Sequence, residues 1–151
     1  MNDNKGMKSL RIEDEIHGKN NLVSFEVLKI YGNGLLSAAA GEKVEVGSNI
    51  HTDEEFAKTQ GLTFAIADGM LSTNYISTLL LENFGEYYLL NGSLFTKFIK
   101  PVPVGITLTA KAKITAIQES EKENQLTMDV WTENEEGVKL VVGEAKVTVL
   151  R

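Results

Sequence analysis

The sequence contains no cysteine, which excludes disulfide bonds, thiolate metal ligands and a cysteine nucleophile together. It has only two histidines, His17 and His51, far apart along the chain, so no metal-ligand spacing stands out and we expect no metal site. The 15 basic residues are outnumbered by 21 acidic ones, and this net charge of −6 argues against nonspecific binding to nucleic acid. Apolar runs are short, as at Leu79-Leu80-Leu81, far below the roughly 20 residues that span a bilayer.

The length of 151 residues suits one domain. Residues 1–21 are polar and of mixed charge, and we interpret them as a leader before a single domain at 22–151. The first residues contain no apolar core of a signal peptide, so we expect a cytoplasmic protein that does not enter the membrane.

The first part of this domain has mixed signals. The frequent Val, Ile and Phe residues between Leu22 and Tyr31 favour a strand, and the following Gly32-Asn33-Gly34 indicates a turn. Thr52 and Glu55 have the spacing of a capping box, which predicts a short helix that runs to about Gln60.

A long helix is the clearest prediction. Between Gly69 and Phe84 the apolar residues recur at helical spacing, with Asp68 as a candidate N-cap and Gly85 at the expected end. The apolar positions are Met70, Leu71, Tyr75, Ile76, Leu79, Leu80 and Phe84. A face this broad must pack against a large apolar surface.

The remainder of the chain is rich in β-branched and aromatic residues and predicts four strands, at 87–99, 106–117, 126–132 and 138–150. The segment Asn134-Glu135-Glu136-Gly137 reads as a hairpin turn between the last two strands. Consecutive strands with short links imply an antiparallel sheet, with the long helix on one face. We therefore predict the α+β hotdog fold, and we expect a homodimer because pairing removes an exposed sheet edge.

Five segments that stand in order along the chain, at 48–53, 65–71, 95–102, 104–108 and 143–147, carry a family resemblance. Led by Ser48-Asn49-Ile50-His51 and Ala67-Asp68-Gly69-Met70, they resemble the MaoC-like acyl dehydratases, which include the (R)-specific enoyl-CoA hydratases. The resemblance implies a hotdog dimer that adds water to a 2-enoyl thioester of CoA or of an acyl-carrier protein. It implies no separate cofactor, since CoA is part of the substrate.

The sequence departs from the family's catalytic loop, Asp-x-Asn-Pro-x-His. His51 matches the catalytic histidine, but Val46 stands in the position of the aspartate and Asn49 in that of the proline. A valine side chain can neither transfer a proton nor orient a water molecule. At the helix start the family commonly has His-Gly-Met, and this chain has Asp68-Gly69-Met70.

Each candidate residue has a structural interpretation beside the functional one. His51 is the candidate acid–base residue, or an ordinary loop residue. Asp68 is either a helix cap or the carboxylate that compensates for Val46. The N–H of Gly69 is a candidate donor to the thioester oxygen, and Ser48, Asn49 and Met70 are candidate substrate contacts, although Ser48 and Asn49 also suit a purely loop-shaping role and Met70 a core position.

Three functions follow from these alternatives. The first is a hydratase or dehydratase of 2-enoyl or 3-hydroxyacyl thioesters that uses His51. The second is a thioesterase in which Asp68 activates water. The third, consistent with Val46, is a protein that binds acyl thioesters without converting them.

Overall fold

The computed structural model describes residues 10–150, which form five strands and four helices. In chain order these are β1 (Glu15–Leu22), α1 (Phe25–Ala40), α2 (Glu54–Thr59), α3 (Gly69–Phe84), α4 (Glu86–Asn91), β2 (Ser93–Phe98), β3 (Thr107–Glu119), β4 (Glu123–Glu133) and β5 (Lys139–Leu150). No helix within these residues is long and apolar enough to cross a membrane.

The five strands form one antiparallel sheet in the order β1-β3-β4-β5-β2. Strands β3, β4 and β5 are long and consecutive, as predicted, and the predicted hairpin turn joins the last two. In that turn the N–H of Asn134 donates to the Val138 carbonyl at 3.1 Å, and Gly137 adopts a positive φ of 76°. The shorter strands β1 and β2 lie at the two edges of the sheet.

Helix α3 lies against every strand of the sheet, so the sheet curls around it. Its bounds and both of its caps, Asp68 and Gly85, are those that the sequence predicts. The buried face of α3 packs with side chains of β3, β4 and β5 in the main core, whose largest members include Ile76, Leu80, Phe84, Ile114 and Met128. The α+β hotdog prediction is therefore confirmed.

The predicted strand at 22–31 is wrong, because residues 25–40 form helix α1 instead. Ser24 caps this helix by accepting the N–H of Val27 at 3.2 Å, and Gly32-Asn33-Gly34 continue the helix rather than turn it. Two glycines inside a helix each cost about 1 kcal/mol relative to alanine. Burial of Leu28 and Val23 in a second core cluster offsets that cost.

The first strand lies earlier in the chain than predicted. Residues 15–22 pair with β3, so most of β1 falls inside the segment interpreted as a polar leader. Residues 1–9 of that segment lie outside the described part of the chain.

The prediction of one strand over 87–99 is only partly right. Glu86–Asn91 form the short helix α4, and the strand begins at Ser93. The aromatic and leucine residues of this stretch suit a strand by composition. Gly85 instead adopts a positive φ of 54° and ends α3, and α4 begins directly after it.

Candidate active site

The loop at 46–53 is shaped by hydrogen bonds of its own polar residues. The Asn49 Oδ1 accepts the N–H groups of His51 and Thr52 at 2.8 and 3.1 Å, and the Thr52 hydroxyl donates to the Gly47 carbonyl at 2.9 Å. Asn49 therefore acts as the structural support of the loop, in agreement with the loop-shaping interpretation. These bonds set the position of His51 at the end of a tight turn.

Helix α2 begins one residue later than predicted. Its cap is Asp53, whose side chain accepts the N–H of Phe56 at 3.0 Å, whereas Thr52 is used inside the loop. The N–H of Phe56 and the hydroxyl of Ser48 hold the pKa of Asp53 below its usual range. Ser48 is exposed and contributes to this cap.

Hydrogen bonds donated by main-chain N–H groups connect the loop and the start of α2 to the segment that leads into α3. The N–H of Ile66 donates to the Ile50 carbonyl at 3.1 Å, and the N–H of Ala65 donates to the Glu54 carboxylate at 2.9 Å. On its other side the same segment bonds to Val102, which accepts the N–H of Ala67 at 2.8 Å. The loop and the start of α3 thus form one connected unit.

The side chain of His51 is oriented by the main chain of this segment. Its Nδ1 lies 2.8 Å from the carbonyl oxygen of Ile66. A carbonyl oxygen only accepts hydrogen bonds, so Nδ1 carries the proton and the other ring nitrogen, Nε2, holds the lone pair in the neutral ring. His51 is half-buried and has a fixed orientation with a basic nitrogen left over.

Three residues beyond Ile66, the first turn of α3 offers a free donor. Asp68 caps the helix by accepting the N–H of Met70 at 2.8 Å, and its own carbonyl accepts the N–H of Leu71 at 3.0 Å. The N–H of Gly69 donates to no group within the described residues 10–150. A donor at the positive end of a helix dipole suits an oxygen that gains negative charge.

Gly69 also permits a close approach by an aromatic ring. A Cβ atom placed at Gly69 would lie 3.0 to 3.2 Å from ring atoms of Phe98, at the end of β2. Phe98 is half-exposed, as is Met70, whose side chain is 49% exposed and does not belong to the core. The helical pattern that assigned Met70 to the core is wrong at this position, whereas the next residue, Leu71, is buried in the second core cluster.

Val46 lies in the loop after α1, with its side chain facing Gly32 of that helix. Its N–H donates to the Asn33 side chain at 2.7 Å, and a Cβ at Gly32 would lie 3.5 Å from its side-chain atoms. The loop therefore presents no carboxylate where the family resemblance places one.

Tyr31 and Asn74 are polar residues of this region that sequence reasoning missed. Asn74, in the second turn of α3, donates to the Tyr31 hydroxyl at 3.3 Å. Burial raises the pKa of Tyr31, the negative charge of Asp68 raises it further, and the bond from Asn74 opposes the increase. The spacing from Ser24 through Val27 to Tyr31 is also that of a capped helix, a signal that would have located Tyr31.

The structure thus brings three candidates, His51, Asp68 and Gly69, onto one connected unit of loop and helix start. The other histidine is elsewhere: His17 lies on the edge strand β1, where its ring contacts the Glu15 carboxylate at 3.0 Å. Among residues 10–150, no group of three or more acidic or histidine side chains is arranged to hold a metal ion.

Comparison with known proteins gives consistent results. The family model described as MaoC like domain matches residues 48–136. The (R)-specific enoyl-CoA hydratase of Aeromonas caviae is 37% identical over 101 residues, which cover 65% of this chain and 72% of that protein.

Solved structures agree on the fold. A MaoC-like dehydratase from Rhodospirillum rubrum superposes with a TM-score of 0.73 at 19% identity, covering 96% of both chains. The (R)-hydratase structure from A. caviae superposes with a TM-score of 0.68 at 23% identity, covering 93% of this chain and 97% of that one.

Proposed function

Because the chain belongs to the family of MaoC like domains, we propose that it adds water to 2-enoyl thioesters, or removes it from 3-hydroxyacyl thioesters, most simply those of CoA. Its similarity to an (R)-specific enoyl-CoA hydratase supports this reaction class. The observation that carries the proposal is the hydrogen bond from His51 to the Ile66 carbonyl. It leaves a basic ring nitrogen on the same short unit as the free N–H of Gly69.

The reaction uses one acid–base group and one oxyanion donor. The Nε2 of His51 removes a proton from water as the water oxygen bonds to C3 of the enoyl group. The electrons of the C2–C3 double bond move toward the thioester oxygen, where the N–H of Gly69 stabilises the negative charge. The protonated His51 then delivers its proton to C2, so that the elements of one water molecule have been added and the histidine is neutral again.

Val46 limits this mechanism to a single acid–base group. A positioned general acid or base contributes about 10²- to 10⁴-fold to a rate, so loss of the family aspartate lowers the rate without removing the remaining catalysis by His51 and Gly69. We therefore propose a hydratase that is slower than relatives with the complete pair.

The test follows crotonyl-CoA by the absorbance of the enoyl thioester and by a thiol reagent in the same samples. We expect loss of enoyl absorbance without thiol release, reduced about 100-fold or more in His51→Ala. His17→Ala is the matched control and should keep full activity, since His17 is exposed on the edge strand β1 and its ring contacts the Glu15 carboxylate. Release of free thiol would show hydrolysis of the thioester and would change the proposed function from hydratase to thioesterase. A decay unaffected by His51→Ala would reject His51 as the acid–base residue.

A second candidate function is a binder of acyl thioesters that does not convert them. The apolar contact of Val46 with α1 favours it, because the loop has lost one catalytic group. Two measurements together would support this candidate over the enzyme. The protein would bind butyryl-CoA in calorimetry, and it would leave crotonyl-CoA unchanged over hours.

We also propose a homodimer formed through the edge strand β2. Among the strands of residues 10–150, β2 pairs with β5 alone, and its residue Phe95 is 70% exposed. Exposed Leu89 and Leu90 of α4 precede this strand directly and extend its apolar surface.

We also propose a cytoplasmic location, which rests on the proposed substrate. Acyl-CoA is highly charged and does not diffuse across membranes.

A further inference from the structure

Tyr31 reaches the start of α3 from helix α1. It packs against the second core cluster, which includes Ala67 and Leu71 on either side of the α3 N-terminus. Its hydroxyl accepts a hydrogen bond from Asn74 at 3.3 Å, which fixes the ring on the side of α3 that carries this exposed amide. The phenol is therefore held in place by packing at its base and by a hydrogen bond at its tip.

The hydroxyl of Tyr31 retains an unused donor. It accepts the bond from Asn74, and its own proton meets no acceptor among residues 10–150. A phenol is protonated at neutral pH, and burial and then the negative charge of Asp68 raise the pKa of Tyr31 further. Asp68 uses Oδ1 for the helix cap, and its second oxygen has no partner within the same residues.

The position of Tyr31 relates directly to the missing carboxylate. The neighbouring residue on α1, Gly32, faces the side chain of Val46, and the next one, Asn33, accepts its N–H. One helical turn of α1 therefore contacts the loop at Val46 and the second turn of α3 at Asn74. Tyr31 stands on this turn, next to the two residues that contact Val46.

We propose that the Tyr31 hydroxyl contacts the substrate and donates a hydrogen bond to the oxygen at C3, which is the attacking water in hydration and the 3-hydroxyl group in dehydration. This inference rests on the proposed hydratase function. Tyr31 orients this oxygen without moving a proton, and His51 remains the group that transfers it. The phenol thus supplies part of the orientation that an aspartate at position 46 would give.

A binding experiment separates this role from a structural one. Binding is measured by calorimetry in the His51→Ala background, which prevents turnover, with 3-hydroxybutyryl-CoA and with butyryl-CoA, which lacks the oxygen. We expect Tyr31→Phe to weaken binding of the hydroxyacyl compound about 10-fold and to leave butyryl-CoA unchanged. Asn74→Ala should have a smaller effect in the same direction, since the phenol stays but its orientation is lost.

Tyr75→Phe is the matched control. Tyr75 is a half-buried tyrosine of α3 whose pKa is raised by burial alone, and its loss of a hydroxyl should change neither affinity. If Tyr31→Phe weakens the binding of both ligands equally, or of neither, the proposal for Tyr31 is overturned. Hydration of crotonyl-CoA by the wild type would still support the proposed function in that case. If the wild type neither hydrates crotonyl-CoA nor distinguishes the two ligands, both proposals fail together.

Discussion

The Nδ1 of His51 lies 2.8 Å from the carbonyl oxygen of Ile66, and this contact joins a loop to the segment, fifteen residues further on, that leads into α3. The same segment of main chain that selects the tautomer of the histidine continues through Asp68 into the free N–H of Gly69. The basic nitrogen and the oxyanion donor therefore keep a fixed relation, because only a few residues of hydrogen-bonded main chain separate their supports.

Replacing Val46 by aspartate is expected to raise the rate of crotonyl-CoA hydration at least about 10-fold, because the loop regains a second proton-handling group in the family register. The main-chain bond from Val46 to Asn33 does not depend on the side chain, so the loop keeps its position. Enoyl absorbance at saturating substrate measures the change.

Val44→Asp provides the comparison, since it introduces the same charge two residues away, where the main chain is also held by a side chain, that of Ser37. It should not raise the rate. A gain of equal size in both variants would attribute the effect to general charge rather than to position 46.

Gly69→Ala is expected to reduce both stability and activity, because the new methyl group would lie 3.0 to 3.2 Å from ring atoms of Phe98. Overpacking of this kind costs about 1–3 kcal/mol, partly offset by the better helix propensity of alanine. Urea unfolding measures the loss, and the additional change Phe98→Leu should recover most of the stability.

Gly34→Ala serves as the opposite control. Gly34 lies inside α1, and a Cβ there would meet no atom within 4 Å, so this variant should gain about 0.5–1 kcal/mol. A loss at Gly34 comparable to that at Gly69 would contradict the role of Phe98.

Glu133→Gln is expected to destabilise the protein by about 1 kcal/mol at pH 7. Glu133 is mostly buried, bonds to Lys111 at 2.6 Å and accepts the Trp131 indole N–H at 2.6 Å. The bond from Lys111 chiefly lowers the pKa of this carboxyl, opposed by partial burial and supported by Trp131.

The pH dependence of this effect has a definite sign. A lowered folded-state pKa stabilises the fold above the unfolded pKa of about 4.3, and this stabilisation is lost as the pH falls through the lower folded value. Thermal melts should therefore show the largest difference between wild type and Glu133→Gln near neutral pH, shrinking toward pH 3. A difference that stays constant with pH would contradict this assignment.

Phe95→Lys is expected to shift the protein from dimer to monomer in light scattering at micromolar concentration, because it places a charge on the free edge strand β2. Leu22→Lys is the control, since Leu22 is comparably exposed but lies on β1 at the opposite edge of the sheet. A wild type that is monomeric, or equal effects of both variants, would reject β2 as the interface.

The sequence predicts the central part of this fold because its signals are local. Asp68 and Gly85 mark the two ends of α3 by cap chemistry, and buried residues alternate with more exposed ones along the second half of β5, from Glu144 to Leu150. Helix α1 escaped prediction because its β-branched residues and its two interior glycines favour other structures by propensity, and only its packing in the second core outweighs them.

The site was predictable only in part, for a different physical reason. The motif names His51 and Gly69 as candidates, but the partner of His51 is a main-chain carbonyl. Every residue type carries such a group, so the sequence gives no signal for this partner. Tyr31 joins the region through contacts between α1 and α3, whose approach depends on the tertiary fold and not on the sequence near either residue.

The hydrogen bond from His51 to residue 66 has a consequence for the evolution of this protein. Every amino acid offers the same carbonyl group, so substitutions of Ile66 that preserve the backbone leave the histidine in its orientation. The side chain at position 66 is therefore not what determines the orientation of His51. A comparison based on side-chain identity alone would pass over the residue that orients this histidine.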